Sequence, residues 1–227
     1  AEILGSASPM ADFEIIELAY EFLKEVKINK TRLFINSIGC PSCRARYREA
    51  LREYFRDKVD GMCEDCRRRF DSNVLRLLDC KIDREQSENA PNILEYLDEE
   101  CRKHFEDLKW YLEKARIDYE IDPHLVRGLD YYSRTAFEIR SPSLGSQDQI
   151  VGGGRYDGLV EVIGGKSCPA VGFAIGMERI VMLLKAEKVS IQTDRNSEVA
   201  ILATGREESL RGFEYARRLR KAGISAY

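Results

Sequence analysis

Apolar residues recur at helical spacing in two parts of the first half of the chain. Ser8 followed by Pro9 is a typical helix start, and apolar residues then return every three or four positions to about residue 27. A second such run, from about 91 to 116, predicts one long helix with a single apolar face. The segment 41–84 between them predicts short, charged helices that carry cysteines.

Runs of β-branched and aromatic residues predict strands in both halves of the chain. They lie near residues 31–36, 119–121, 131–140, 150–152 and 171–175. We expect an α/β (α+β) fold in which these strands form a mostly antiparallel sheet, with helices 9–27 and 177–188 packed on it. A short strand at 198–203 and a helix at 207–221 resemble the start of a further domain.

The composition excludes some classes of protein and leaves others open. Of the 227 residues, 44% are hydrophobic, which is ordinary for a protein with a core. The net charge of −3 shows no overall basic excess, so any nucleic-acid surface must be local. Residues 1–9 lack the pattern of a signal peptide, and no apolar stretch approaches the ~18 residues of a membrane span. Seven cysteines without a secretory signal favour reduced thiols in the cytoplasm.

Three stretches carry a family resemblance. They are LVRGLDYYSRTAFE at 125–138, GGGRYDGL at 152–159 and VGFAIGMER at 171–179, and the segment 71–81 adds to them. Together they resemble the histidyl-tRNA synthetases of class II, and the first stretch is the most specific. The resemblance implies a class II synthetase-like antiparallel sheet with flanking helices and a helical insertion.

The same resemblance implies a division of the chain and an activity. Residues 1–40 and 117–193 would form a partial catalytic core, 41–116 a helical insertion domain, and 194–227 the start of an anticodon-binding domain. The implied activity is ATP-dependent activation of histidine, with Mg²⁺, and its transfer to tRNA(His), by a homodimer in the full-length protein. Motif 1, most of motif 2 and most of the anticodon-binding domain would lie outside this chain, so we expect it to be inactive alone.

Two other functions compete with that one. A catalytically silent relative is the regulatory subunit of ATP phosphoribosyltransferase in histidine biosynthesis. The insertion at 41–116, the motif around Arg127 and the β-α start at 198–227 disfavour it. A small zinc-bearing RNA-binding module would leave the stretch from 127 to 179 unexplained.

Two arginines are candidates for holding phosphate. An arginine in an apolar strand region, such as Arg127, is costly to bury unless an anion meets it. The resemblance gives it the catalytic role, on the α-phosphate and the histidine carboxylate, whereas the alternative is an ion pair with Asp130. Arg179 begins a helix after Gly176, and the resemblance places both on ATP. A solvated arginine at a helix start is the alternative.

The remaining candidates concern histidine. Tyr131 and Tyr132 are adjacent, so in a strand they would face opposite sides, one lining a pocket and the other packing in the core. The resemblance puts this pair at the histidine site, with the glycines at 152–154, Gly153 among them, as the pocket floor and Tyr156 touching the substrate. Glu2 would accept a hydrogen bond from the imidazole N–H.

Cysteine spacing and basic helices suggest two further partners. Cys40, Cys43, Cys63 and Cys66 form two C-x-x-C pairs separated by nineteen residues, which is typical of a four-cysteine structural Zn²⁺ site. Free thiols or a reversible disulfide are the alternatives. Arginines at every fourth position from 44 to 56, with three more at 67–69, would contact tRNA phosphates or form a solvated face. His104 is expected at the surface.

Overall fold

The computed structural model describes residues 1–126, 131–189 and 199–227. Its described strands form one six-stranded sheet in the order β1-β6-β5-β4-β2-β3, with every pair antiparallel except β2 and β3. The mostly antiparallel sheet is therefore confirmed. The strands are β1 Glu2–Leu4, β2 Arg32–Ser37, β3 Tyr119–Ile121, β4 Ser133–Arg140, β5 Gln149–Arg155 and β6 Ala170–Ile175.

Helices occupy stretches between these strands and also follow the last of them. They are α1 Pro9–Glu25, α2 Pro41–Phe55, α3 Glu64–Ser72, α4 Arg84–Ser87, α5 Glu99–Lys114, α6 Leu159–Val162, α7 Met177–Ala186 and α8 Arg206–Lys221. Helix α1 begins as its sequence predicts, because the Ser8 hydroxyl accepts a hydrogen bond from the Met10 N–H at 3.2 Å. It ends near Lys27, whose positive φ of 63° breaks the helical path.

One face of the sheet is covered by α1 and α5. Phe137 from β4, Val151 from β5 and Val171 from β6 are fully buried there with Ile16 of α1. Leu108 of α5 belongs to the same core. Helix α5 thus packs with the sheet. Helix α7 contributes Ile180, Leu183 and Leu184 to this core.

A second, smaller core holds α2 and α3. Tyr47, Leu51 and Phe55 line one side of α2 at four-residue spacing, and they pack with Val74 and Leu77 from the segment after α3. The long helix expected at 91–116 does not form as one piece. Residues 93–96 make a 3₁₀ turn, Leu97 is extended, and the Asp98 carboxylate then caps α5.

The chain separates into compact units at 1–189 and 190–227. In the second, the strand expected at 198–203 is reduced, over its described residues, to one parallel bridge between Val199 and Ala226. The helix expected at 207–221 is present as α8. Across the described ranges, no helix has the length and apolar content needed to span a bilayer.

Candidate functional site

One cross-strand row defines the face of the sheet opposite α1. Glu2, Gly172, Gly154, Ala136 and Asn36 are paired in register across five strands. Side chains alternate along a strand, and the intervening residues point into the core beneath α1. The row is therefore a strip of very small residues between an acid and an amide.

Three tyrosine rings lie together over this strip. Tyr131 stacks on Tyr132 with ring centroids 4.7 Å apart, and Tyr156 meets them edge-on at 5.9 and 6.1 Å. A side chain at Gly154 would meet the Tyr132 ring at 3.0 Å. The glycine thus allows a tyrosine to lie against the backbone of the sheet.

Glu2 and Tyr156 form the polar end of this cluster. The Tyr156 hydroxyl donates to Glu2 Oε1 at 2.5 Å. Burial and this bond raise the pKa of Tyr156 above its usual value, which keeps the phenol protonated as a donor. A Cβ at Gly172 would lie 3.0 Å from the Tyr156 oxygen and 2.9 Å from Glu2 Cγ. The bond therefore needs a glycine at that position.

The structure corrects two expectations about these residues. Tyr131 and Tyr132 precede β4, stack on each other and share one side of the molecule, so they do not face opposite sides. Of the glycines expected in the pocket floor, Gly154 faces the tyrosines, whereas Gly153 does not, because a side chain there would meet the buried Phe137 ring at 2.6 Å. The absence of a side chain at Gly153 serves the packing of β5 on the core.

Arg179 and Gly176 lie toward the other end of β5 and β6. The half-buried Arg179 guanidinium donates to the Gln149 carbonyl at the start of β5, and the Gly176 N–H donates to the Ile150 carbonyl at 3.2 Å. Gly176 is four residues beyond Gly172, or about 13 Å along an extended chain. Arg179 thus lies beyond the end of β6, past the strand position that pairs with Glu2. Arg127, with Asp130, lies outside the described residues.

Arg155 is a structurally important residue that the sequence motifs did not single out. Its side chain is fully buried, and it reaches both Asp12 carboxylate oxygens, the Ser6 and Ser8 carbonyls and the Asp157 carboxylate. Burial raises the pKa of Asp12, but the nearby His104 and the hydrogen bonds from Arg155 outweigh this and leave it lowered. Arg155 therefore ties the strand that leads into Tyr156 to the first turn of α1. An arginine within a glycine-rich strand is the signal that could have found it.

His104 belongs to the same network and was expected at the surface. It is only 5% exposed, and its Nε2 lies 3.4 Å from Asp12 Oδ2. The surrounding charges of α5 suggested a solvated flank, yet position 104 falls one residue before Phe105 on the buried side.

The four cysteines of the two C-x-x-C pairs do not converge. Cys40 and Cys43 group with Asp98 and Cys101, whereas Cys63 and Cys66 group with Cys80 and Asp83. Helix α2 continues for twelve residues beyond Cys43, about 18 Å of helix, before the chain turns toward Cys63. The reversal after it leaves Cys63 at the far end, so a single four-cysteine site is replaced by two groups.

Some arginines of the α2–α3 segment bond to other protein groups, and others are exposed. Arg44 donates to the Tyr132 carbonyl at 2.8 Å and so connects α2 to the tyrosine cluster. Arg56 pairs with Glu53, and Arg68 with Asp65. Arg52 and Arg67 are exposed on the helical segment.

Known proteins resemble the chain over nearly its whole length. Its residues 1–180 match the family model described as Histidyl-tRNA synthetase. Histidine--tRNA ligase of Thermotoga sp. (strain RQ2) is 50% identical over 224 residues, covering 99% of this chain and 53% of that protein. The chain thus spans about half the length of the curated relatives it matches.

Solved structures agree in fold. Apo histidyl-tRNA synthetase of S. aureus superposes with a TM-score of 0.72 at 32% identity, over 99% of this chain and 56% of that one. A Bacillus halodurans protein titled ATP phosphoribosyltransferase regulatory subunit/histidyl-tRNA synthetase has a TM-score of 0.55 at 22% identity, covering 99% of this chain and 60% of that one. At that identity it shares the fold alone. The family model's match across most of the chain carries the assignment: this chain belongs to the histidyl-tRNA synthetase family.

Proposed function

We propose that this chain carries the histidine-binding part of an ATP-dependent histidine--tRNA ligase. The single observation that carries the proposal is the Glu2–Tyr156 pair set beside two stacked tyrosines on a glycine-lined sheet face. An imidazole is flat and presents N–H groups. Aromatic walls suit its ring, and a carboxylate accepts from its N–H.

Each member of the cluster has a distinct part in this proposal. Glu2 accepts from the imidazole, and Tyr156 holds the Glu2 carboxylate in place. Tyr131 and Tyr132 form the wall, while Gly153 lets β5 pack closely on the core beneath. The carry-over of these roles rests on the family motifs that contain Tyr131, Tyr132, Gly153 and Tyr156, and for Glu2 on its contact with Tyr156.

The nucleotide would occupy the other end of the same face. We assign ATP, with the Mg²⁺ that accompanies its phosphates, to Arg179 and Gly176, and the histidine carboxylate and α-phosphate to Arg127. About 13 Å separates Gly172 from Gly176 along β6, so one elongated aminoacyl-adenylate could reach both ends. Fixed cations would stabilise the charge that moves toward the leaving pyrophosphate.

The partners follow from the same assignment. Exposed Arg52 and Arg67 would contact phosphates of tRNA(His), with 41–116 as the insertion domain and 1–40 with 117–193 as the partial catalytic core. Residues 194–227 would begin the anticodon-binding domain. The whole protein would act as a cytoplasmic homodimer.

Calorimetric titration of the chain with histidine tests the amino-acid site. Glu2→Gln removes the acceptor charge at constant size, so we expect histidine binding to weaken about 10- to 100-fold, the loss of one charged hydrogen bond. Tyr156→Phe should weaken it about 5-fold. Tyr119→Phe is the matched control, since Tyr119 donates to Glu113 at 3.0 Å outside the cluster.

A second ligand separates a ligase from a protein that binds histidine alone. A non-hydrolysable histidyl-adenylate analogue should bind more tightly than histidine, and Arg179→Ala should remove that gain while leaving histidine affinity unchanged. If Glu2→Gln and Tyr119→Phe bind histidine equally well, the site assignment is refuted. If the analogue gains nothing over histidine, the regulatory alternative is favoured.

A further inference from the structure

Both cysteine groups are built on the same plan. In the first group, Cys40-x-x-Cys43 meets Asp98-x-x-Cys101. In the second, Cys63-x-x-Cys66 meets Cys80-x-x-Asp83. Each group therefore contains three thiols and one carboxylate, contributed by two short pairs from distant parts of the chain. Within each group all ligand atoms lie within 4.8 Å of one another.

The distances suit one metal ion in each group. Zinc holds sulfur at about 2.3 Å, so two thiolates of a tetrahedral site lie about 3.8 Å apart. Cys40 Sγ is 3.5 Å from Cys43 Sγ, and Cys63 Sγ is 3.8 Å from Cys80 Sγ. One carboxylate lies close to the thiols in each group: Cys40 Sγ is 3.1 Å from Asp98 Oδ2, and Cys80 Sγ is 3.4 Å from Asp83 Oδ2.

Helix starts surround both groups. Cys40, Cys63 and Asp98 precede the first residues of α2, α3 and α5. The unpaired N–H groups and the positive end of the dipole at each start favour negative charge. A site with three thiolates and a carboxylate around Zn²⁺ carries net negative charge. The helix starts thus offset the charge of a filled site.

Burial adds a second argument. Cys43 and Cys66 are fully buried, Cys101 is 1% exposed and Cys80 is 8% exposed. In the first group the surrounding hydrophobic cluster consists of Leu97 and the cysteines, with Leu94 against it. A cluster that small offers little apolar burial to hold α2 against α5, whereas a bound metal would join them directly.

From this geometry we propose two structural Zn²⁺ sites, each of the Cys₃Asp type. One joins the start of α2 to the start of α5, and the other joins the start of α3 to residues 80–83. Four protein ligands leave no open coordination position, so neither site is catalytic. Thiolate-rich ligand sets favour Zn²⁺ over Mg²⁺ or Ca²⁺.

The test is the zinc content of the 227-residue chain, purified without chelators and measured by mass spectrometry of the metal. We expect two zinc ions per chain. Cys43→Ser with Cys101→Ser should remove one, and Cys66→Ser with Cys80→Ser should remove the other. Cys168→Ser, outside both groups, is the matched control and should keep two.

Milder variants cover the case in which a double variant does not fold. Asp98→Asn and Asp83→Asn keep the side-chain shape but weaken one ligand. Each should release one zinc to a chromogenic chelator at a concentration at least about 10-fold lower than the unmodified chain requires.

Several results would overturn the proposal. Absence of zinc, or thiols found paired as disulfides by mass spectrometry without reductant, would refute both sites. A total of only one zinc per unmodified chain, absent from either double variant, would refute the two-site arrangement. Zinc content unchanged by one double variant would refute the site that this variant removes.

Discussion

The buried pair between Asp12 and Arg155 permits a quantitative prediction. Both side chains are completely buried, and the Arg155 Nε lies 3.1 and 3.2 Å from the two Asp12 carboxylate oxygens. Asp12→Asn would leave the guanidinium buried without its main counter-charge. Breaking a buried pair in this way costs about 3–5 kcal/mol. Asp157, 3.0 Å from Arg155 and 30% exposed, remains as a partial counter-charge. We therefore expect Asp12→Asn to lower the free energy of unfolding by about 3 kcal/mol.

Urea unfolding followed by circular dichroism is a suitable assay. With a slope of about 2–3 kcal/mol/M, the loss of about 3 kcal/mol lowers the midpoint by about 1 M or more. Glu14→Gln is the matched control, because Glu14 is exposed on the same helix, and it should stay within about 0.5 kcal/mol of the unmodified chain.

A double variant distinguishes the loss of a partner from the loss of packing. Asp12→Leu with Arg155→Met removes both charges and should recover most of the stability, since an apolar pair of similar volume often matches a buried ion pair. The reasoning is refuted if Asp12→Asn costs less than about 1 kcal/mol, or if the double variant is less stable than Asp12→Asn.

Three further predictions concern pH, packing and RNA. The folded pKa of Asp12 lies below its ordinary value of 3.8, so the pair's contribution is complete above about pH 5 and falls as the pH drops through the ordinary pKa toward the folded one. The difference in unfolding free energy between the unmodified chain and Asp12→Asn should shrink over that range, and a difference independent of pH would contradict this. Gly153→Ala should lower the free energy of unfolding by about 1–3 kcal/mol, because the added Cβ would lie 2.5 Å from a backbone oxygen. Gly158→Ala, where a Cβ meets open space, is the control, and equal midpoints of the two variants in thermal unfolding would disprove the packing role. Replacing Arg52 and Arg67 by alanine should weaken tRNA binding in filter assays. The slope of log affinity against log salt concentration should fall in magnitude by about 1 for each phosphate that is no longer neutralised, and an unchanged slope would show that these residues do not contact phosphates.

Local patterns predicted the elements well where one chemical signal dominated. Ser8 and Pro9 mark the start of α1, and the strand predicted at 31–36 forms as β2, Arg32–Ser37. The break at Leu97 was missed because the apolar spacing continues across it. Asp98 followed by two glutamates was the available sign of a new helix start.

Contacts between residues that are far apart in the chain were harder to predict from the sequence. The cysteine spacing alone predicts that Cys43 and Cys63 share one site, but the rigid helix α2 that runs from Cys43 toward Cys63 keeps their sulfurs in different groups. His104 was judged from its charged neighbours, whereas its burial depends on Asp12, ninety-two positions earlier. Arg155 shows the reverse case, because the cost of burying an arginine, which points to an anion beside Arg127, applies equally to an arginine inside the glycine-rich strand β5.

The two cysteine groups have a consequence for the order in which the chain can fold. The second group connects Cys63 to Asp83, twenty positions apart, and it lies wholly inside the loop closed by the first group from Cys40 to Cys101, sixty-one positions apart. Closing a loop three times longer costs about 1 kcal/mol more in chain entropy. With the inner loop already closed, the outer ends have less free chain between them and this extra cost falls. Nesting therefore favours a sequence in which α3 and residues 80–83 associate first, and the starts of α2 and α5 meet afterwards around them.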